Sequence, residues 1–202
     1  MLNVNVKNID MKFNTSDEVF SPQNIDKGTL AMLSIVEFKN DDKVLDLGCG
    51  YGIVGILSAK IVGATNVFMT DVDDSAVKLT RENIVLNEVE GIEVYQSDGF
   101  ININEKDLTL ILSNPPYHVD FSVPKEFIEK GFNRLAIGGK MYMVTKRKDW
   151  YKNKLVSIFG GVKITEIQTC ALPILKITEI DGYFVFMAEK KSTSYSSKKK
   201  SK

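Results

Sequence analysis

Residues 44–52, VLDLGCGYG, combine a carboxylate with three glycines at alternate positions, Gly48, Gly50 and Gly52. Alternating glycines leave the backbone of a turn open to close approach by a ligand. The carboxylate, Asp46, lies two residues before the first glycine, where it would repel a pyrophosphate and attract a cation. The segment therefore predicts a turn that binds a cationic ligand rather than a dinucleotide, and a purely structural turn is the alternative.

S-adenosylmethionine, which carries an ammonium and a sulfonium, has the charges that such a turn would attract. Gly48 and Gly50 would let its methionine part approach the backbone, while Asp46 holds the amino group directly or through water. Asp71, about 20 residues after the turn, is placed to accept both ribose hydroxyls. Asp98 is placed to accept from the adenine amino group. The alternatives are a helix cap for Asp71 and a solvated loop acid for Asp98.

Asn114-Pro115-Pro116-Tyr117 has the residue types of a site for a planar amine. The two prolines fix the backbone and remove two N–H donors, which leaves carbonyl acceptors. The Asn114 side-chain oxygen and the Pro115 carbonyl could accept both hydrogens of an NH2 group, with the nitrogen lone pair aimed at the sulfonium methyl. Tyr117 could stack on an extruded base, and His118, the one histidine, could contact substrate phosphate or base. The alternatives are a plain turn and a histidine without a role.

Predicted strands alternate with predicted helices along the rest of the chain. The hydrophobic spacing predicts strands over 43–47, 66–71, 92–95, 108–112 and 141–145, and helices over 27–37, 52–61, 75–87, 123–137 and 147–159. Residues 3–7 and 11–13 are expected to form a hairpin. The alternation predicts a parallel, doubly wound α/β sheet. Because ligands of such sheets bind at the carboxyl ends of the strands, we expect one edge to gather the polar residues that follow the first four strands: Asp46, Asp71, Asp98 and Asn114.

Length and composition are those of one globular domain, with 202 residues of which 44% are hydrophobic and 26% charged. No apolar run reaches the length of a membrane span, and the N-terminus lacks a signal peptide, so we predict a cytoplasmic protein without membrane contact. Two cysteines, Cys49 and Cys170, with one histidine argue against a disulfide framework and against a metal site. Cys49 is expected to be a small packing residue within the glycine turn.

The net charge of zero conceals a basic C-terminal tail. Removing the six lysines of residues 190–202 from the 26 basic residues leaves 20 against 26 acidic residues, so residues 1–189 carry a net charge of −6. We predict a single domain over 1–189 and a disordered Lys/Ser-rich tail over 190–202. The tail could contact RNA phosphates, or it could serve only solubility.

A duplication interrupts the last quarter of the chain. The segment KITEI at residues 163–167 recurs at 176–180, and QTCALPIL separates the copies. Because QTCALPI is one reading frame of a common sequencing-library adaptor, we predict that residues 168–180 are an assembly artefact; a genuine tandem duplication is the alternative. Asp181-Gly182 is a hairpin signal, so we expect the second copy to pair with the strand over 183–188.

Together these residues resemble the class I S-adenosylmethionine-dependent methyltransferases that methylate amino groups. The sequences Val19-Phe20-Ser21 and Asp26-x-Gly28-Thr29, and the order Asn-Pro-Pro-aromatic-His, narrow the resemblance to the methyltransferase small domain family. Its best-known members methylate guanine N2 in 16S ribosomal RNA. The resemblance implies a Rossmann-like, doubly wound, seven-stranded mixed sheet whose last strand is antiparallel.

The resemblance also implies residue roles. The cofactor S-adenosylmethionine would be held by the glycine turn and the strand-end acids, Asp46, Gly48, Cys49, Gly50, Gly52, Asp71 and Asp98. Phe20, Asp26 and Thr29 would close the pocket from the N-terminal side. Asn114, Pro115, Pro116 and Tyr117 would hold the target amine as the catalytic motif, with His118 as a substrate contact.

The implied activity is methyl transfer to an exocyclic amine of a nucleobase, with guanine N2 of ribosomal RNA as the leading target and ribosomal RNA or a ribosomal subunit as partner. The same motif would serve any planar amine. Adenine N6 in RNA or DNA, and a glutamine side chain of a protein such as a release factor, are therefore alternatives. A non-catalytic S-adenosylmethionine-binding partner is a further alternative, although such proteins usually have an eroded motif and this one is intact.

Overall fold

Nine strands, five α-helices and one short 3-10 helix (Ala64–Asn66) are present in the computed structural model, which describes residues 1–16, 25–116, 120–160 and 175–193. The strands are β1 (Leu2–Val6), β2 (Ile9–Phe13), β3 (Val44–Leu47), β4 (Val67–Asp71), β5 (Glu93–Gln96), β6 (Leu108–Ser113), β7 (Leu135–Thr145), β8 (Leu175–Ile180) and β9 (Tyr183–Glu189). The helices are α1 (Lys27–Ile35), α2 (Ile53–Val62), α3 (Asp74–Leu86), α4 (Ser122–Arg134) and α5 (Lys148–Phe159). The predicted elements agree with these bounds to within two residues except at the junction of α4 and β7.

Seven strands form one mixed sheet in the order β5-β4-β3-β6-β7-β9-β8. Strands β3 to β7 are parallel, whereas β9 is antiparallel to β7 and β8 is antiparallel to β9. The Rossmann-like sheet with an antiparallel last strand is thereby confirmed. The strand order reverses between β3 and β6, and at such a switch point the loops diverge and leave room for a ligand.

Helices cover both faces of the sheet because neighbouring residues of a strand point to opposite faces. On β3, Val44 belongs to the apolar cluster that contains α1, α2 and α3, whereas Leu45 belongs to the cluster that contains α4 and α5. All four residues of β3 are buried, as expected for a strand covered on both sides. The two apolar clusters fill the two faces of the sheet, and the polar loops lie at its carboxyl edge.

The predicted N-terminal hairpin is confirmed: β1 and β2 pair in a separate two-stranded sheet. Its buried residues Met11 and Phe13 join the cluster that includes α2 and α3. Directly after α3, Asn87 accepts the Lys12 N–H with Oδ1 at 3.0 Å and donates from Nδ2 to the Lys12 carbonyl at 2.6 Å. The hairpin is thus attached to α3 through its backbone.

The prediction of a helix over 123–137 is wrong at its C-terminal end. Helix α4 ends at Arg134, and β7 follows at once and runs through Gly138 and Gly139. The Gly138 N–H donates to the Lys190 carbonyl at 2.7 Å, and the Lys190 N–H donates to the Gly139 carbonyl at 2.9 Å. Pairing with a residue far away in the sequence therefore holds this segment in the sheet, where Gly138, with φ of +84°, lies in an irregularity of the β6–β7 pairing.

The second copy of the repeated segment, residues 176–180, belongs to β8 and pairs with β9, where Ile180 lies opposite Tyr183. The predicted pairing of this copy is confirmed. Asp181 and Gly182 form the connection with φ of +50° and +77°. Positive φ at both central residues is what a tight hairpin turn of type I′ requires.

Residues 163–174 lie outside the described residues, so the origin of the duplication stays a prediction. The division into a domain over 1–189 and a disordered tail over 190–202 also stays a prediction. Within the described ranges, no helix is long and apolar enough to cross a membrane. The same ranges contain no group of three or more His, Cys, Asp and Glu side chains arranged to hold a metal ion.

Candidate functional site

The glycine turn lies between β3 and α2 at the carboxyl edge of the sheet. The Gly48 and Cys49 N–H groups both donate to the Thr70 carbonyl at 2.8 Å, so the end of β4 holds the turn. Gly48 and Gly50 have φ of +80° and +57°. A Cβ at either position would meet no atom within 4 Å. These two glycines therefore provide both the unusual backbone conformation and open space for a ligand.

A cavity of about 290 Å³ opens above this turn. It brings together most of the predicted site residues: Thr29, Asp46, Gly48, Cys49, Gly50, Asp71, Asp98, Asn114, Pro115 and Pro116. With Asp26 and Asp73, its described lining has five carboxylates and contains no Lys or Arg side chain. Such a lining attracts cations and hydroxyl donors and repels phosphate.

Helix α3 supports the glycine turn through two side-chain hydrogen bonds. Thr80 Oγ1 donates to the Gly50 carbonyl at 2.8 Å, and Asn83 Nδ2 donates to the Tyr51 carbonyl at 2.9 Å. Gly52, with φ of +98°, is different from the two glycines before it, because a Cβ there would lie 3.2 Å from the Thr80 side chain. Gly52 is thus a close-packing position and is not among the described residues that line the cavity.

Three predicted site residues, Phe20, Tyr117 and His118, lie outside the described residues. Closure of the pocket by Phe20, base stacking by Tyr117 and substrate contact by His118 stay predictions.

The Asp46 carboxyl is only 2% exposed. Its Oδ2 accepts the N–H of Gly55, in the first turn of α2, at 2.9 Å. Burial raises the pKa of Asp46 from 3.8 to about 7; the Gly55 N–H lowers it, and the nearby Asp71 carboxylate raises it. Near neutral pH the group is therefore poised between its neutral and charged forms, and a cation in the cavity would favour the charged form.

The Cys49 thiol is buried and lies 3.7 Å from Thr80 Oγ1. Desolvation, and then the charges of Asp46 and Asp71, raise the pKa of this thiol well above its ordinary value. A neutral thiol is a poor nucleophile. The environment agrees with the interpretation of Cys49 as a small packing residue.

Asp71, at the end of β4, holds the turn. Its Oδ2 accepts the Gly50 N–H at 2.8 Å, and its Oδ1 accepts the Asp73 N–H at 3.0 Å. The cap of α3 is Asp73 instead, since its Oδ1 accepts the Ser75 N–H at 2.9 Å. Asp98 is exposed on the loop after β5 and lines the same cavity. Their contacts with ribose and adenine stay predictions.

The side chain of Asn114 is held by the start of α1. Asp26 Oδ2 caps α1 by accepting the Thr29 N–H at 2.8 Å, and it also accepts from Asn114 Nδ2 at 2.8 Å. Asn114 Nδ2 donates in addition to Thr29 Oγ1 at 2.9 Å. Because a carboxylate only accepts, the amide must turn its NH2 group toward Asp26, which places its oxygen at the opposite end of the amide group. Beside it, Pro115 is buried and Pro116 is exposed.

Residues 10–170 match the family model of the methyltransferase small domain. The chain belongs to this family. A relative from Haemophilus influenzae (strain PittGG), named ribosomal RNA small subunit methyltransferase C, is 38% identical over 150 residues, which are 72% of this chain and 45% of the relative. The Bacillus subtilis (strain 168) protein YbxB is 28% identical over 190 residues, which are 92% of this chain and 89% of YbxB.

Solved structures share the fold of this methyltransferase small domain. The 16S rRNA N2 G1207 methyltransferase of T. thermophilus, in complex with AdoMet and guanosine, matches 94% of this chain and 50% of its own, with a TM-score of 0.78 and 22% identity. A Pyrococcus furiosus methyltransferase matches 90% of both chains with a TM-score of 0.66 and 17% identity. The chain spans about half the length of the curated ribosomal RNA methyltransferases it matches.

Two sets of contacts within this methyltransferase small domain were not foreseen from the sequence. Asn83, on the buried face of α3, and Asn87, the residue that follows α3, lie four residues apart and bond to backbone of other segments. Two amides four residues apart, in line with the apolar positions of a predicted helix, were a usable signal. The contact of Asp26 with Asn114 joins positions 88 residues apart and had no local signal, although the resemblance had placed Asp26 and Thr29 near the pocket.

Proposed function

We propose that this chain is an S-adenosylmethionine-dependent methyltransferase that acts on an exocyclic amino group of a nucleobase, with guanine N2 of ribosomal RNA as its target. The observation that carries this proposal is the oriented amide of Asn114 at a cavity lined by five carboxylates. An acceptor pair suited to an amine and a lining suited to a cationic cofactor meet at one place.

The residues present fit S-adenosylmethionine. When bound, this cofactor supplies a methyl group on a positively charged sulfur. Gly48 and Gly50 provide open backbone, the carboxylates of Asp46, Asp71 and Asp98 provide acceptors for its ammonium, ribose and adenine groups, and no described cation in the lining opposes its charge. A phosphate-bearing cofactor would instead face the carboxylates of Asp26, Asp71, Asp73 and Asp98, together with the partly ionised Asp46.

The amine would be held by two acceptors of the motif. Asn114 Oδ1 and the Pro115 carbonyl each accept one hydrogen of the planar NH2 group, so its lone pair is left for attack on the methyl carbon. Asp26 and Thr29 restrict the Asn114 amide to the orientation that presents this oxygen. The nitrogen becomes cationic on methylation and loses a proton easily, so the chain needs no strong general base. Tyr117 would stack on the extruded base.

The RNA target is supported by the relatives rather than by the cavity. Several relatives at 30–38% identity are named ribosomal RNA small subunit methyltransferase C. The structure from T. thermophilus contains guanosine as well as AdoMet. Ribosomal RNA or a ribosomal subunit is therefore the proposed partner.

The test is to incubate the protein with methyl-labelled S-adenosylmethionine and, in separate reactions, undermodified ribosomal subunits, bare ribosomal RNA, tRNA and a release factor. Nucleoside analysis should find N2-methylguanosine in the ribosomal RNA. N6-methyladenosine would replace guanine by adenine as the target base. Label in the release factor alone would overturn the RNA proposal.

Asn114→Ala tests whether the motif acts in methyl transfer. It removes one acceptor of the amine, so methyl transfer should fall by about 10²- to 10³-fold or more. Cofactor affinity, measured by isothermal titration calorimetry, should change by less than about twofold. Equal loss of both would mean that the motif is structural rather than catalytic.

A further inference from the structure

Three consecutive cations, Lys146, Arg147 and Lys148, follow β7 at the carboxyl edge of the sheet. All three residues are exposed, and we refer to them as the cationic ridge. Strand β7 lies next to β6, and Asn114 is the first residue after β6. The cationic ridge therefore leaves the sheet one strand away from the proposed amine site.

Each cation of the ridge lies over a different aromatic ring. The distances from the side-chain cation to the ring centroid are 4.7 Å for Lys146 and Tyr183, 4.8 Å for Arg147 and Phe121, and 4.8 Å for Lys148 and Phe184. A ring face restrains the cation that lies over it. The three side chains of the ridge therefore hold their positive charges at restrained positions.

An aromatic stack extends the ridge. Phe121 is 37% exposed and stacks on Trp150, with ring centroids 4.5 Å apart and an interplanar angle of 19°. Residues 146–154 contain five basic residues and one acid, Asp149. Asp120 is a second acid nearby, and hydrogen bonds from Ser122, followed by the charge of Arg147, lower the pKa of its carboxyl. Positive charge with interleaved aromatic rings is the usual composition of a surface that binds single-stranded nucleic acid.

The charge of the ridge contrasts with its surroundings. Residues 1–189 carry a net charge of −6, and the cavity across the sheet edge is lined by five carboxylates. A polyanion that approaches this edge is attracted to the ridge and repelled by the cavity. The positive charge of the ridge and the negative charge of the cavity would together place the polyanion on the ridge side of the edge. Asn114 would then lie between the polyanion and the cofactor.

We propose that the cationic ridge binds the phosphodiester backbone of the RNA strand that flanks the target nucleotide. This inference rests on the proposed function and adds where the substrate lies. The three cations contact phosphates, while Phe121 and Trp150 offer an apolar surface to the neighbouring sugar or base. Because phosphate contacts carry no sequence information, the ridge sets the position of the strand rather than the choice of base.

The test compares two triple variants with equal loss of charge. The ridge variant is K146Q/R147Q/K148Q, and the control is K12Q/K39Q/K106Q, whose three lysines are exposed and lie outside the ridge and the cavity. The probe is a fluorescein-labelled single-stranded RNA of about 16 nucleotides, followed by anisotropy between about 50 and 200 mM salt.

For the ridge variant, the loss of three phosphate contacts should reduce the slope of log K against log salt by about 2, and affinity by roughly a hundredfold at about 0.1 M salt. The control should stay within a few-fold of the unchanged protein. K146R/R147K/K148R keeps the charges and should keep the slope. Cofactor affinity, which does not involve these positions, should be unchanged in all three variants and reports that they are folded.

Equal RNA affinity in the ridge and control variants would overturn the ridge proposal, even if the protein methylates ribosomal RNA. Loss of binding to an acidic release factor, with RNA binding intact, would also overturn it and make the ridge a protein-docking surface. Conversely, a protein that binds RNA through the ridge but methylates none of the RNA substrates would overturn the proposed function, and only the contact between the ridge and RNA would stand.

Discussion

The carboxyl edge of the sheet has an acidic half above β3, β4 and β5 and a cationic half beyond β7 and β9. The acidic half encloses a cavity with five carboxylates, and the cationic half exposes three consecutive basic residues on aromatic rings. Asn114 lies between them, at the end of the strand that separates the halves.

The difference suggests how one edge could sort two ligands of opposite charge. A cation is stabilised in the acidic cavity and repelled from the ridge, and the reverse holds for a polyanion. Neither half needs to recognise its ligand in detail to keep the two apart. The halves should therefore respond separately to mutation: changes in the acidic half should affect the cofactor, and changes in the cationic half should affect RNA.

The largest effect in the acidic half is expected at Asp46. Because its pKa is about 7 in the ligand-free protein and a bound ammonium favours the charged form, cofactor affinity should rise with pH until the group is ionised. Below pH 7 affinity should fall by up to about tenfold per pH unit. Asp46→Asn should bind about 10- to 100-fold more weakly, with this part of the pH dependence removed. Isothermal titration calorimetry at several pH values measures both.

The same carboxyl should make the ligand-free protein less stable at neutral pH. Its folded-state pKa of about 7 is above the ordinary 3.8, so its contribution to stability is complete below pH 3.8 and is lost as pH rises through 7. Asp46→Asn avoids this loss and should raise the free energy of unfolding on the order of 2–4 kcal/mol at about pH 8 in a urea titration. Lower stability of this variant at that pH would contradict the effect assigned to the Asp46 carboxyl, and altered RNA affinity would contradict the separation of the halves.

A smaller effect is expected at the boundary, where Asp26 orients Asn114. Asp26→Ser keeps a residue that can cap α1, but its side chain is too short to reach Asn114 as well. Loss of one hydrogen bond to a charged group should lower kcat about tenfold. The KM for S-adenosylmethionine and the affinity for RNA should change little. Asp26→Asn, which can still reach Asn114, should restore most of kcat; a KM effect without a kcat effect would argue against orientation.

The smallest effect is expected from deleting residues 168–180, which joins the first KITEI directly to Asp181-Gly182 and the strand over 183–188. Since β8 pairs with β9 through that turn, the deletion should preserve the hairpin and the rings beneath the ridge. The shorter loop should add up to about 1–2 kcal/mol to the free energy of unfolding. Weaker RNA binding with normal cofactor affinity would show that the ridge depends on the inserted segment.

The parts of this fold that could be predicted are those with a local cause. The glycine turn was predictable because Gly48 and Gly50 need positive φ and open space, and both requirements are visible in a few residues. The β8–β9 pairing was predictable because Asp181-Gly182 makes the contact local. The convergence of Asp46, Asp71, Asp98 and Asn114 followed from strand order alone, since parallel strands end at one edge.

The parts that could not be predicted depend on distant contacts. Gly138 and Gly139 suggested a helix end, but pairing with Lys190 keeps them in a strand. The orientation of Asn114 depends on Asp26, which the resemblance had placed at the N-terminal side of the pocket without indicating a contact with Asn114. In the sequence, Arg147 and Lys148 of the cationic ridge belong to a predicted helix. The position of the ridge near the proposed amine site is visible only in the structure, where β7 lies next to β6.

Asn83 has a consequence for how this protein folds. Its buried amide accepts from the Asn14 N–H at 2.7 Å and donates to the carbonyls of Asn14 at 3.0 Å and Tyr51 at 2.9 Å. An intermediate that lacks the N-terminal hairpin would leave this buried amide with unmade bonds, at a cost of about 1–3 kcal/mol. We therefore expect the hairpin and the glycine turn to form and open as one cooperative unit, with matching hydrogen-exchange protection of their amides.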